Sequence, residues 1–190
     1  MYKRILIALG LSLNVGLALT ACDGKQGDTN DAEVSQQQTS TSTTSNAGTQ
    51  TADADQAFID HMAPHHEMGV MMADDALSKA SKPKTKEFAR MIKAAQTPEI
   101  AQLKTWRAQW YGSANTPPMD HSDYQPMSSG PDYDRKWTQL MIEHHQMAVD
   151  QAKQTLTTAK RPEIKQLAQK VIDDQSMEIQ QLQAYLQTLG

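Results

Sequence analysis

Displaced by 79 residues, the chain aligns with itself without a gap. The register pairs residues 58–103 with 137–182, and 16 of those 46 pairs are identical. They include Met62/Met141, His65/His144, His66/His145, Met68/Met147, Pro83/Pro162, Gln96/Gln175, Glu99/Glu178 and Leu103/Leu182. A gap-free register of that length identifies two copies of one unit, so whatever one copy forms the domain contains twice.

Each unit reads as a helical hairpin. Phe88, Met91, Ile92, Ala95, Ile100, Leu103, Trp106 and Trp110 recur mostly three or four apart, and Ile164, Leu167, Ala168, Val171, Ile172, Ile179, Leu182, Tyr185 and Leu189 repeat the pattern. Met91 and Met177 read as core. Pro83 and Pro162 suit the first turn of the second and fourth helices. The stretch around 112–131 holds Gly112, Pro117, Pro118, Pro126, Gly130 and Pro131 and reads as a connecting loop. Two hairpins give four helices of roughly 25 residues, the length of bundle helices. Pro64 and Pro98 fall inside helical patterns, where each removes a backbone bond. A first helix that kinks at Pro64 and one that starts at 63 both fit the pattern.

The N-terminal part has a different composition. Lys3 and Arg4 precede an apolar run from Ile5 to Leu19, too short for a comfortable membrane span. Leu19-Thr20-Ala21-Cys22 resembles a bacterial lipoprotein cleavage box. That resemblance implies that residues 1–21 are a lipoprotein signal peptide and that Cys22 is a lipidated N-terminus. It also implies a periplasmic or other extracytoplasmic protein anchored to the membrane. An ordinary secretory signal with an unmodified Cys22 is the plain alternative. Residues 22–53 read as a disordered tether: 10 of the 17 residues from Ser35 to Thr51 are Ser or Thr. Such a segment cannot bury enough surface to offset its ordering entropy. The folded part is then 54–190, with repeat units about 54–111 and 132–190.

Composition narrows the chemistry. One Cys builds neither a disulfide framework nor a thiolate zinc site. A formal charge of −4 with no long basic run argues against a nucleic-acid role. The chain has 11 Met against 10 aromatic residues, and all 6 His lie between 61 and 145. At 100° per residue, with His61 at 0°, His65 lies at about 40°, Met68 at about −20°, Met72 at about 20° and Met62 at about 100°. One helix face therefore carries two imidazoles and two or three thioethers, with His66 on its flank. The second copy matches it with Met141, His144 and Met147, and His145 on the flank, but Leu140 replaces His61 and Gln151 replaces Met72. Imidazole and thioether without thiolate form a soft to borderline donor set that favours copper, Cu(I) especially, over the oxygen-seeking Mg and Ca. The loop adds Met119, His121 and Met127 as possible further ligands. Met at helical spacing also serves as core filler, and a single buried His is often only a satisfied core residue. The recurrence of both at one register is what points to metal. Gln96, Glu99, Gln175 and Glu178 repeat as Gln-x-x-Glu; they read either as groups that orient the imidazoles or as solvated polar faces.

The repeated Met-x-x-His-His-x-Met, each followed by a helix with Gln-x-x-Glu-Ile, resembles the domain of unknown function 305 family over about 56–189. The resemblance implies an all-α, ferritin-like four-helix bundle, and some members are extracytoplasmic copper-binding proteins. It also implies that Met62, His65, His66, Met68, Met141, His144, His145 and Met147 are ligand positions. His61 and Met72 lie outside the family pattern. The leading expectation is a lipoprotein that sequesters or relays copper, with a metal ion and the membrane as partners. The alternatives are a ferritin-like di-metal oxidoreductase and a bundle that only docks a protein partner. The oxidoreductase would need Glu-x-x-His, which the chain lacks. Neither a Gly-x-Ser-x-Gly elbow nor a phosphate-cradling glycine loop is present.

Overall fold

Each copy of the repeat forms one antiparallel hairpin: α1 (Ala54–Lys79) with α2 (Pro83–Tyr111), and α3 (Tyr133–Thr158) with α4 (Pro162–Leu186). The computed structural model describes residues 53–118, 124 and 126–189, and these four helices are its only regular elements. The signal, Cys22 and tether expectations concern residues outside the described ones, except that Asp53, expected as the tether's last residue, caps α1; Met119 and His121 also lie outside them. None of the described helices is long and apolar enough to cross a membrane.

Local sequence sets the helix ends. Pro83 and Pro162 open α2 and α4, where the missing N–H costs no helical bond. Gly112 ends α2 in the left-handed conformation, at φ 77°. Helix α1 begins at Ala54 and runs through Pro64, and α2 runs through Pro98, so neither proline marks a start.

The two hairpins meet along α1 and α3 in antiparallel register. His65 faces its own counterpart His144, and the indole N–H of Trp137, counterpart of Phe58, donates to the Met72 carbonyl at 2.9 Å. The duplication is thus a pseudo-two-fold axis through the His65/His144 level. On one side of that level, Phe58, Ile59, Met62, Leu103, Ala152, Ile164 and Val171 form one apolar cluster. On the other, Met68, Met72, Phe88, Ile92, Tyr133, Trp137, Met141 and Leu182 form a second. The paired histidines form a polar layer between two dry ones.

The same axis relates two buried carboxylates that tie the hairpins together. Asp55 of α1 accepts from the Lys160 N–H at 2.9 Å and from the Arg161 N–H, at the start of α4. Asp134 of α3, 79 residues on, accepts from the Ser81 and Lys82 N–H groups at 3.1 and 3.0 Å and from the Ser81 hydroxyl at 2.7 Å, at the start of α2. Burial alone would raise the Asp134 pKa, but the hydrogen bonds from Thr85, Ser81 and Lys82 outweigh it and hold it below the usual carboxylate value. Each acid caps the partner hairpin's second helix. Asp55→Ala and Asp134→Ala are each expected to cost about 2 kcal/mol, since each strands buried backbone donors at a helix start. They sit at opposite ends of the bundle, so the double variant should lose about the sum. Urea unfolding of both single variants and the double checks this; losses under about 0.5 kcal/mol, the size of an ordinary surface substitution, would show the caps to be idle.

Candidate metal centre

Four imidazoles are buried in the central layer: His65, His66, His144 and His145 are 0–2% exposed. The His65 and His144 rings stack across the pseudo-axis, with centroids 3.8 Å apart and 25° between planes. Neighbours on the same helix stand about one ring diameter further off, at 6.2 Å for His65/His66 and 6.0 Å for His144/His145.

Their hydrogen bonds fix their tautomers. His66 Nε2 lies 2.8 Å from Glu99 Oε2, and His145 Nε2 lies 2.7 Å from Glu178 Oε2. His144 Nε2 lies 3.0 Å from the His65 carbonyl oxygen. Carbonyl and carboxylate oxygens only accept, so Nε2 carries a proton in all three rings and Nδ1 is the nitrogen left for another partner. Those three Nδ1 atoms, both nitrogens of His65, both amide atoms of Gln96 and Oε1 of Gln175 are buried without a protein partner. Buried polar atoms are rarely left unpaired, and eight in one layer mark it as built to receive something polar or cationic. An imidazole whose N–H is held by a carboxylate, with the other nitrogen bare, is the usual arrangement of a metal-ligating histidine.

Electrostatics agree with lone pairs rather than charge. Burial, and then the other imidazoles led by His144, hold His65 far below the ordinary imidazole range. Burial, and then His145, lower His144 to about 3. Both rings are neutral near pH 7, the state a metal ligand needs.

The layer opens on one side into a cleft of about 700 Å³ lined by Asp60, His61, Pro64, His65, Met68, Pro118, Met147, Asp150, Gln151 and Gln154. His61 is exposed and stacks over His65 at 6.2 Å. Met147 is 52% exposed and Met68 only 8%. The cleft therefore joins two imidazoles to two thioethers, and His65 connects it to the buried layer. Among the described residues no three His, Cys, Asp or Glu side chains surround a common point. A closed zinc-type cage is thus absent from them, and the thioethers are needed to complete a donor set.

The residues singled out by sequence divide. The structure brings His61, His65, Met68 and Met147 to the cleft, and His66, His144 and His145 to the layer behind it. Glu99 and Glu178 orient imidazoles directly, while Gln96 and Gln175 lie buried in the same layer. Met62, Met72 and Met141 are packed in the two apolar clusters instead. Met127 packs on the second cluster from the connector, and its carbonyl accepts from Lys79 at 2.8 Å. Met91 and Met177, expected in the core, are 43% and 52% exposed; the apolar faces of their helices are satisfied without them.

Gly69 was not among the expected site residues. A Cβ there would stand 2.2 Å from Gln96 Oε1 and 3.0 Å from His144 Cε1. Its counterpart is Ala148, so only the first repeat makes this room. In Gly69→Ala the helix gain of about 1 kcal/mol should offset much of the crowding, leaving stability within about that amount. The Gln96 amide and the His144 ring must move, however, so metal affinity should fall. Thermal unfolding and a metal titration of the one variant separate the two effects.

A family model described as "Domain of unknown function (DUF305)" matches residues 55–186. Among solved structures, the chain is similar to CopM in the Cu(I)-bound form, with 38% identity and a TM-score of 0.63 over 70% of this chain and 96% of that one. It is likewise similar to CopM in the Cu(II)-bound form, with 36% identity and a TM-score of 0.62 over 72% and 97%. A DUF305 protein from Streptomyces coelicolor shares the fold at 23% identity and a TM-score of 0.64, over 73% and 93%. No curated protein sequence matches the chain.

Proposed function

The chain belongs to the DUF305 family, and on that footing we propose that it is an extracytoplasmic copper-binding lipoprotein that sequesters or relays the ion without catalysing a reaction. The observation that carries the reading is the buried layer of imidazoles with unpartnered nitrogens, continuous through His65 with a thioether-lined cleft. Copper-bound forms of CopM, 36–38% identical, support copper as the ion.

In this reading copper meets His61 and Met147 at the exposed mouth and is held by His65 and Met68. The bare Nδ1 atoms of His66, His144 and His145 offer further donors behind them. Met62, Met72 and Met141 stay packed in the apolar clusters on either side. Met119, His121 and Met127 add donors from the connector. Soft thioethers and neutral imidazoles suit Cu(I), and imidazole alone also accepts Cu(II). The signal at 1–21, lipidation of Cys22 and the 22–53 spacer would hold the bundle at a membrane surface facing an extracytoplasmic compartment. Metal analysis of the protein isolated from its native envelope tests the reading: copper in at least stoichiometric amount is expected. Iron at two per chain with oxygen consumption would replace it with a di-metal oxidase.

A further inference from the structure

The two His–Glu pairs are alike in length but not in surroundings. Glu99 receives His66 on Oε2 and, on Oε1, the ammonium of Lys170 from α4 at 2.8 Å. Lys170 is itself held by Asp174 at 2.6 Å, one turn on. The 79-residue register places Met91 at the position of Lys170 and Ala95 at that of Asp174. Among the described residues, Glu178 accordingly has His145 as partner and no cation. The duplication therefore supplies its own control: one carboxylate is shared with an ammonium and its twin is not.

The consequence is electronic. A carboxylate that accepts an imidazole N–H pushes charge into the ring and raises the donor strength of the other nitrogen. An ammonium on the second oxygen draws that charge away, and it also repels a cation held nearby. Resting on the copper reading above, we propose that Lys170 is a positioning residue that makes the two repeats unequal. His145 is the stronger donor of the two rings behind the cleft, so the ion recruits it before His66, which takes part at higher copper. Lys170 keeps 53% of its side chain exposed, so the inequality is modest: about two- to fivefold in affinity, the worth of a solvent-exposed ion pair.

The test compares the full chain with two exchanges, Lys170→Met, which gives the first repeat the second's surroundings, and Met91→Lys with Ala95→Asp, which does the reverse. Lys170 and Met91 are exposed and Ala95 is half-buried, so the helicity of each exchange is checked first. In the metal-free protein at pH 7, nitrogen-15 spectra of the imidazoles should show distinct His66 and His145 Nδ1 shifts. Lys170→Met should move His66 toward His145 and leave His145 in place, and the double exchange should move His145 toward His66. Substoichiometric Cu(I) should perturb His145 before His66 in the wild type and both together in Lys170→Met. Coincident shifts in the wild type, or shifts unmoved by either exchange, overturn the proposal. Distinct shifts that respond to the exchanges while Cu(I) perturbs neither ring leave the inequality standing and sink the copper reading instead.

Discussion

Taking the metal-free bundle from pH 7.5 to pH 5 is expected to lower its unfolding free energy by about 4 kcal/mol. His65 and His144 are buried neutral, the first far below the ordinary imidazole range and the second at about 3. In the unfolded chain both protonate near 6.5, so below that pH the unfolded state binds protons that the fold excludes. Their stability is fully present above pH 6.5 and drains away as pH falls toward the folded values. Each such group contributes about 1.4 kcal/mol per pH unit, and two groups over 1.5 units give the figure. Asp134 works in a lower window. Its pKa is depressed in the fold, so its contribution is present above the ordinary carboxylate value of 3.8 and is lost only as pH falls through its lower folded value. Denaturant unfolding at a series of pH values, with a chelator present, measures the slope. A His65→Leu/His144→Leu variant should lose most of it. A stability that stays flat between pH 7.5 and 5 would mean that the central imidazoles are not excluding protons. In the proposed site copper would occupy the same nitrogens, so acid should also release the ion.

Met68→Leu/Met147→Leu is expected to weaken Cu(I) binding by at least about tenfold and to leave Cu(II) nearly unchanged. Thioethers are soft donors that prefer the monovalent ion, whereas the four ring nitrogens serve both. Leu nearly conserves the volume of Met, so stability should move by less than about 1.5 kcal/mol even at buried Met68. Competition against a chromophoric Cu(I) chelator, beside a Cu(II) titration of the same variant, reads the difference. Equal losses for the two ions would place the thioethers in a structural role only.

The duplication made most of the architecture legible. It announced two hairpins, placed Pro83 and Pro162 at helix starts, and aligned the Gln-x-x-Glu pairs whose acids meet His66 and His145. The periodicity of a helix says which residues share a face, but not which neighbour covers that face. Met68 and Met147 share one register, yet one is buried and the other is half exposed, because the two sides of α1 and α3 have different surroundings. Met62 and Met141 lie, by helical angle, between the two rings of their own His pair one turn away, yet tertiary packing buries them in the apolar clusters. The caps from Asp55 and Asp134 were missed although their signal was present: the 79-residue register extends back through both, before the stretch where the repeat is densest. A capping acid in its own helix is easy to see, whereas one that caps a helix start 52 or more residues away depends on the tertiary fold. Gly69 is a similar case, since only the approach of Gln96 and His144 reveals why a side chain is absent there.

The central claim is that the paired histidines are the copper site. Calorimetric titration of the chain with Cu(I) and Cu(II) tests it most directly, beside a His65/His66/His144/His145→Ala variant whose helicity is checked first. Cys22→Ser in both removes the one thiol from the comparison. Binding far tighter than millimolar is expected in the parent, with a loss of at least about 100-fold in the variant. Binding no tighter than millimolar, or an affinity untouched by removing the four rings, would contradict it.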